Sequence, residues 1–403
     1  MPVPRSMAAV LLAAWLIAPS VGLAQSLCVN GDPYMTVTDA AQARLADGRK
    51  QPAPALAVGD AVFLLEVKDG WATVARPDTR QPNFPGRLYR LPLAALAERP
   101  GKTQARRPAW APAPGDPALA ERDVVAYEDE PWIMVRQGAA KPRRVAKGAS
   151  PAVSADGTLL AYWPEAEGGV TVVDLTGKAK PRRFPTTPET VREIHFSPQG
   201  LALAWRVDDR RVPGSPRDRI ESVDLAAPEA QPAVVVAWLP VTTAFDGFGV
   251  DGKTLAFFVW ENEANQLRLV DAHGRVLRQT PISAFLDPTL DSSGDTYPPS
   301  PTSDTLLLAA SGVNPTPAME RWLNDSGSAL FLCDLGSGTS YRLTPRDLVA
   351  VSPTWTPDGR RIYFAGLPEK PVNGPHHLYR MNADGTGLTD LGKGFAPSVG
   401  TRP

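Results

Sequence analysis

One unit recurs along this chain. At 351–366 the sequence reads VSPTWTPDGRRIYFAG, and after a connection it continues as HLYRMNADGTGLTDLG (377–392). Two alternating apolar segments meet at one Asp-Gly, and two more meet at a second. Alternation at period two with an Asp-Gly between runs predicts a pair of antiparallel hairpins. Degraded copies lie upstream, where ASPAVSADGTLLAYW, EIHFSPQGLALAWR, FGVDGKTLAFFVW and SPTSDTLLLAAS each precede a second strand pair. Their first turns fall at Gly157, Gly200, Gly252, Thr305 and Gly359, at intervals of 43, 52, 53 and 54 residues. Such intervals suit the blades of a β-propeller. At Thr305 the Asp-Gly is missing, so a longer or differently shaped turn is expected there.

A second marker keeps the same register. Asp174, Asp224, Asp271, Asp334 and Asn382 end the third strand of each copy. A short acid or amide there is expected to accept backbone N–H bonds from the following turn, a structural duty rather than a catalytic one.

Five copies leave remainders at both ends. Residues 124–145 read as three strands lacking a first, and FAPS (395–398) reads as a first strand lacking the rest. Joined, they complete a sixth blade and remove the open edge of the ring. The expected fold is all-β, with a six-bladed propeller over 122–400.

Residues 1–24 have the pattern of a secretory signal: Arg5, an apolar run from Met7 to Ala18, and small residues before Gln25. The apolar run is short for a membrane span. The expectation is a periplasmic or secreted protein, without a stable membrane span, that acts as a monomer. A net charge of −1 with interspersed signs argues against nucleic acid as a partner. Cys28 and Cys333 are compatible with a disulfide in an oxidising compartment, but two cysteines so far apart in the chain seldom meet.

Residues 27–97 lack the repeat. VGDAVFLLEVKDGWATVARPD (58–78) predicts a hairpin at Lys68-Asp69-Gly70, with GRLYRLPLAAL (86–96) returning. Val58-Gly59-Asp60, Gly70-Trp71-Ala72, Val74 and Gly86 resemble a bacterial Src-homology-3-like barrel. Trp71 is expected in its core. Residues 98–121, rich in Pro and Ala, read as a solvated linker.

SPTWTPDGRRIYF and LYRMNADGTGLT resemble the repeat of TolB-type periplasmic propellers. That resemblance implies a six-bladed envelope domain serving as an interaction scaffold.

Several motifs dissolve on inspection. Gly247 to Gly252 has dinucleotide-type glycines but precedes a strand-like run, not a helix. Gly387 to Lys393 has phosphate-loop spacing, but Gly394 stands where a magnesium-binding hydroxyl belongs. No Gly-x-Ser-x-Gly or His-Glu-x-x-His is present. His195 and His273 read as structural, and the acidic loop carrying Asp287, Asp291 and Asp295 reads as solvated. No metal, cofactor or catalytic residue is expected.

In a four-stranded meander, the first and third turns share one end of the blade. The second turn and the crossover share the other end, and the long connections fall there. That face is the expected binding face for an envelope protein or cell-wall polymer, with Trp163, Arg206, Arg210, Trp260, Trp322 and His377 as candidates. The alternatives are a propeller lyase or glycan hydrolase with carboxylates at the central funnel, and small-ligand or metal sensing in the channel.

Overall fold

The computed structural model describes residues 35–46, 56–58, 60–77, 85–98, 103–104, 109, 111–113, 117–164, 166–186, 190–209, 217–227, 229–239, 242–261, 264–282, 291–292, 297–303, 305–311, 328–345, 348–368 and 374–403. The chain divides into two compact units, 1–100 and 101–403. Among the described residues no helix is long and apolar enough to cross a membrane. The leader-like residues 1–24 and Cys28 lie outside the described residues.

The second unit is a six-bladed β-propeller. Blade 1 runs from its inner strand Ala149–Val153 through Leu159–Trp163 and Val170–Asp174 to Arg182–Phe184. Blade 2 has Thr190–Phe196, Ala202–Asp209, Arg217–Asp224 and Ala233–Leu239. Blade 3 has Thr242–Phe248, Leu255–Glu261, Ala264–Val270 and Val276–Pro281. Blade 4 has Asp291–Ser292, Thr305–Ser311, Ala329–Asp334 and Thr339–Arg342. Blade 5 has Leu348–Trp355, Arg361–Pro368, His377–Asn382 and Thr389–Lys393. The closing blade takes its inner strand, Phe395–Thr401, from the end of the chain and its other three, Asp123–Asp129, Trp132–Gln137 and Arg143–Lys147, from the start of the unit. Val399 pairs with Val125 and Thr401 with Asp123.

The ring is written in the core. Six apolar clusters each straddle two neighbouring blades, and together they go once round the circle. Phe258 of blade 3 meets Phe331 of blade 4, and Leu332 of blade 4 meets Phe364 of blade 5. Tyr363 of blade 5 meets Val125 and Val399 of the closing blade. Sheets buried on both faces need apolar residues at consecutive positions, which explains runs such as LAFFVW and ALFLC.

The first turn of blades 1 to 5 corrects the expectation of a minimal hairpin. Ser154 N–H bonds to Leu159 O, and the same five-residue reach recurs from Ser197 to Ala202, Gly249 to Thr254, Ser300 to Thr305 and Thr356 to Arg361. Glycine alone takes positive φ, near +66° at Gly157 and Gly359. The aspartate acts through its side chain: Asp156 Oδ1 accepts from Thr158 N–H and from the Ser154 and Thr158 hydroxyls. Blade 4 keeps this loop length. Thr305 opens its second strand, and Ser303 occupies the place of the glycine, bonded to Ser300 and Thr305.

The third-strand acids behave as expected. Asp174, Asp224, Asp271 and Asp334 each accept backbone N–H bonds from the next turn. Asn382 differs, because its amide donates to Thr386 Oγ1 while Asp384 takes the turn's N–H.

The stretch read as a solvated spacer is partly built into this unit. Thr103–Gln104 adds a parallel fifth strand to the outer edge of blade 4. Ala111 joins the core between blades 4 and 5, and a short 3-10 helix, Pro117–Arg122, leads into the closing blade.

The first unit is a six-stranded antiparallel sheet. Its central hairpin, Ala61–Lys68 and Trp71–Pro77, turns at Asp69 and Gly70, both at positive φ, as the sequence predicts. Trp71 is not in the core. Ala72 and Val74 point inward instead, and alternation leaves Trp71 half-exposed on the other side.

Candidate functional site: the central channel

The inner strands lie side by side around an axis, and five of the six carry the same irregularity. Pairing with the second strand slips between Ala149 and Ala152, Arg192 and Ile194, Phe245 and Gly247, Val351 and Thr354, and Phe395 and Ser398. At each slip one residue is left-handed: Ser150 (φ +53°), Glu193 (+35°), Gly247 (+98°), Ser352 (+50°) and Ala396 (+45°). A bulge leaves one residue out of the ladder and re-aims its neighbours. Proline follows in three of the five cases, Pro151, Pro353 and Pro397, where no ladder N–H is needed. Non-glycine residues adopt this conformation only when their surroundings impose it, at a cost on the order of 1 kcal/mol.

The four non-glycine bulge residues rim one cavity of about 350 Å³, together with Glu128, Arg192, His195, Thr354, Phe395 and Ser398. It lies where the inner strands begin, on the side of the long connections. A second cavity of about 170 Å³ lies toward the Asp-Gly turns and includes Asp246, Phe248 and Trp355. The two share Ile194, His195, Pro298, Thr354 and Ser398, which form a waist in the channel.

Charge at the mouth is arranged in pairs. Ser150 N–H donates to Glu128 Oε1 at 2.7 Å, tying blade 1 to the closing blade. Arg206 donates to both oxygens of Glu193 and, at 2.9 Å, to Asp218 Oδ2. Burial opposes the Arg206 charge, but the two carboxylates outweigh it and push the guanidinium pKa up. Arg192 stays half-exposed, its guanidinium 3.9 Å from Asp208.

His195 sits at the waist. Its Nε2 lies 3.0 Å from Phe245 O, which fixes the proton on that nitrogen. Its ring meets Phe245 edge-on and packs against Gly247, where a Cβ would lie 2.9 Å from the imidazole. Burial holds its pKa down to about 4, so the ring is neutral at pH 7. Asp246 Oδ1 accepts the Tyr297 N–H from blade 4.

The candidates read from the sequence are dispersed. Arg206 is buried, 8% exposed, and committed to Glu193 and Asp218, which corrects its expected place on an exposed face. Trp163 ends its strand half-buried, and its indole nitrogen is buried without an acceptor among the described residues. His377 opens its strand with Nδ1 2.8 Å from Asp390 Oδ2. Trp260 lies in Leu255–Glu261, its side chain outside the description, and Arg210 and Trp322 lie outside the described residues. Of the three whose side chains are described, Trp163, Arg206 and His377, none lines the mouth cavity. The channel residues Glu128, Arg192 and Glu193 were not foreseen. The repeated Ser-Pro or Ala-Pro at 150–151, 352–353 and 396–397 is the signal that marks the bulges. Among the described residues no group of three or more His, Cys, Asp or Glu is placed to hold a metal.

No family model matches this sequence. No curated protein matches it either. Solved structures do. TolB from Acinetobacter baumannii is 17% identical, with 84% of this chain and 81% of that chain covered and a TM-score of 0.49. A TolB candidate from Agrobacterium tumefaciens is 16% identical, over 70% of this chain and 99% of that one, with a TM-score of 0.46. Puromycin hydrolase is 14% identical, over 72% of this chain and 47% of that one, with a TM-score of 0.41. The propeller assignment rests on the strand pairing and the circle of inter-blade cores.

Proposed function

We propose that this chain is an exported binding scaffold that engages an envelope protein or cell-wall polymer through the face carrying the long connections. The observation that carries the reading is the difference between the two ends of the ring. One end is closed by short turns held by internal hydrogen bonds, as at Ser154–Leu159 and Thr356–Arg361. At the other end, where the wider cavity lies, strands stop at Asp209, Ser311 and Pro368 and the next begin at Arg217, Ala329 and His377, the long joins of the sequence. Rigid rings position such segments for recognition. Trp163 and His377 are the described candidates at that end, and Arg210, Trp260 and Trp322 remain candidates from the sequence.

The test is capture from envelope extract by the immobilised chain. Trp163→Ala with His377→Ala should abolish capture of the partner, whereas Lys253→Gln with Arg360→Gln, on the turn face, should leave it intact. The reverse pattern overturns the reading.

A second reading, a small polar ligand in the channel, is favoured by the mouth cavity. Its volume of about 350 Å³ suits a small molecule, and Arg192 and His195 face it from one strand. A ligand-induced rise in thermal midpoint that Arg192→Gln removes would support it.

A further inference from the structure

The outer wall of the propeller carries a second feature, remote from the channel. Lys-Pro-Arg-Arg occurs at 141–144 and 180–183, its arginines opening the outer strands of the closing blade and of blade 1. Residues 131–148 hold five cations and no anion, and residues 175–186 hold four cations and no anion, in a chain whose net charge is −1. These two blades are neighbours, with Val135 and Leu160 in one core.

Three of the nine cations have structural work. Arg136 donates to Gly138 O and Leu391 O, Arg182 donates to Leu225 O and Ala227 O, and Arg183 pairs with Glu167 at 3.0 Å. The other six, Lys141, Arg143, Arg144, Lys147, Lys178 and Lys180, are exposed and form no ion pair with any described residue. A bulge between Arg144 and Ala146 places Arg144 and Lys147 on one face, where strict alternation would separate them. Both then lie over Trp132, 5.0 and 5.2 Å from the ring centre. The indole holds two like charges side by side at the surface.

We propose that this two-blade wall is a docking surface for an acidic polysaccharide. Unpaired guanidinium forks match carboxylate and sulfate groups, and a flexible polymer can follow the wall from one blade to the next. Other polyanions fit less well. Among the described residues no exposed large apolar side chain lies in either stretch to insert into a bilayer. Phe184 is buried and Trp132 already carries Arg144 and Lys147, so the wall presents no row of aromatic faces on which nucleobases could stack. Lysine and proline at the sheet edge discourage strand addition by a peptide.

The test uses the full chain and fluorescein-labelled dextran sulfate, with polygalacturonate as the carboxylate competitor and neutral dextran as the blank. Binding should appear at low salt, weaken as salt rises, and be displaced by polygalacturonate. R143Q/R144Q/K178Q/K180Q should weaken it by about tenfold or more, while K253Q/R275Q/R278Q/R360Q, an equal charge change elsewhere, should change it by less than about twofold. Equal denaturation midpoints confirm that both variants fold. No binding at low salt, equal loss in both variants, or tighter binding to polyglutamate, an oligonucleotide or phosphatidylglycerol vesicles would overturn the proposal.

Discussion

Arg361 donates two hydrogen bonds of 3.0 Å to the carboxylate of Asp123, a residue 238 positions earlier in the chain. Tyr363 and Thr401 donate to the same carboxylate at 2.8 Å. Asp123 and Arg361 are both almost fully buried. The group stands where blade 5 meets the closing blade, so the two ends of the unit are held by one anion. Leaving a buried guanidinium without its partner costs more than the pair contributes. Asp123→Ala should therefore destabilise the propeller by about 3–5 kcal/mol. Asp358→Asn, which keeps the oxygen that accepts from the Thr356 hydroxyl and Arg360 N–H but removes the partly exposed charge 3.6 Å from Arg361, should cost under about 1 kcal/mol. Urea unfolding of both variants checks the difference.

His195 sets an acid dependence. Its pKa is near 6.5 in the unfolded chain and about 4 in the folded one. Between these values the unfolded chain binds more protons, so acidification favours unfolding. The contribution is complete above about pH 6.5, falls as pH drops toward 4, and amounts to about 3 kcal/mol at most. His195→Gln should flatten stability against pH in this window relative to the parent. Parallel curves for the two proteins would contradict the buried neutral ring.

Ala396 holds φ +45° without the freedom of glycine. Ala396→Gly should raise stability by about 0.5–1 kcal/mol, because relief of strain exceeds the added entropy of the unfolded chain. Ala396→Val should lower it, since a β-branched side chain resists that conformation. Denaturant midpoints give both signs.

Cys333 is fully buried as a free thiol, and burial pushes its pKa up. In a Cys28→Ser background, a disulfide-exchange reagent should find no reactive thiol in the native protein and one after denaturation. Rapid native reaction would show that the core between blades 3 and 4 opens.

Much of the ring was legible because repetition multiplies weak signals. Asp-Gly recurs at a blade's spacing, and third-strand acids recur in register with it. The closing strand was legible because Phe395–Ser398 reads like the start of blade 1. The reach of the first turn was not, since Asp-Gly fits both a two-residue turn and the longer loop closed by Ser154 and Leu159. Arg206 reads as a surface cation in isolation. Its partners Glu193 and Asp218 lie on two flanking strands, and only pairing brings them together. Trp71 was misplaced because an aromatic in a strand gives no sign of which face is buried. The channel residues escaped notice because a bulge changes which side chains face the axis.

The central claim is that the end of the chain completes the first sheet of the propeller. Val125→Cys with Val399→Cys, in a Cys28→Ser, Cys333→Ala background, puts one thiol on each of two directly paired residues. Under mild oxidation, intact mass and a non-reducing gel should show one intramolecular disulfide in the folded monomer. Two free thiols, or bonds formed only between chains, would show that Phe395–Thr401 does not pair with Asp123–Asp129.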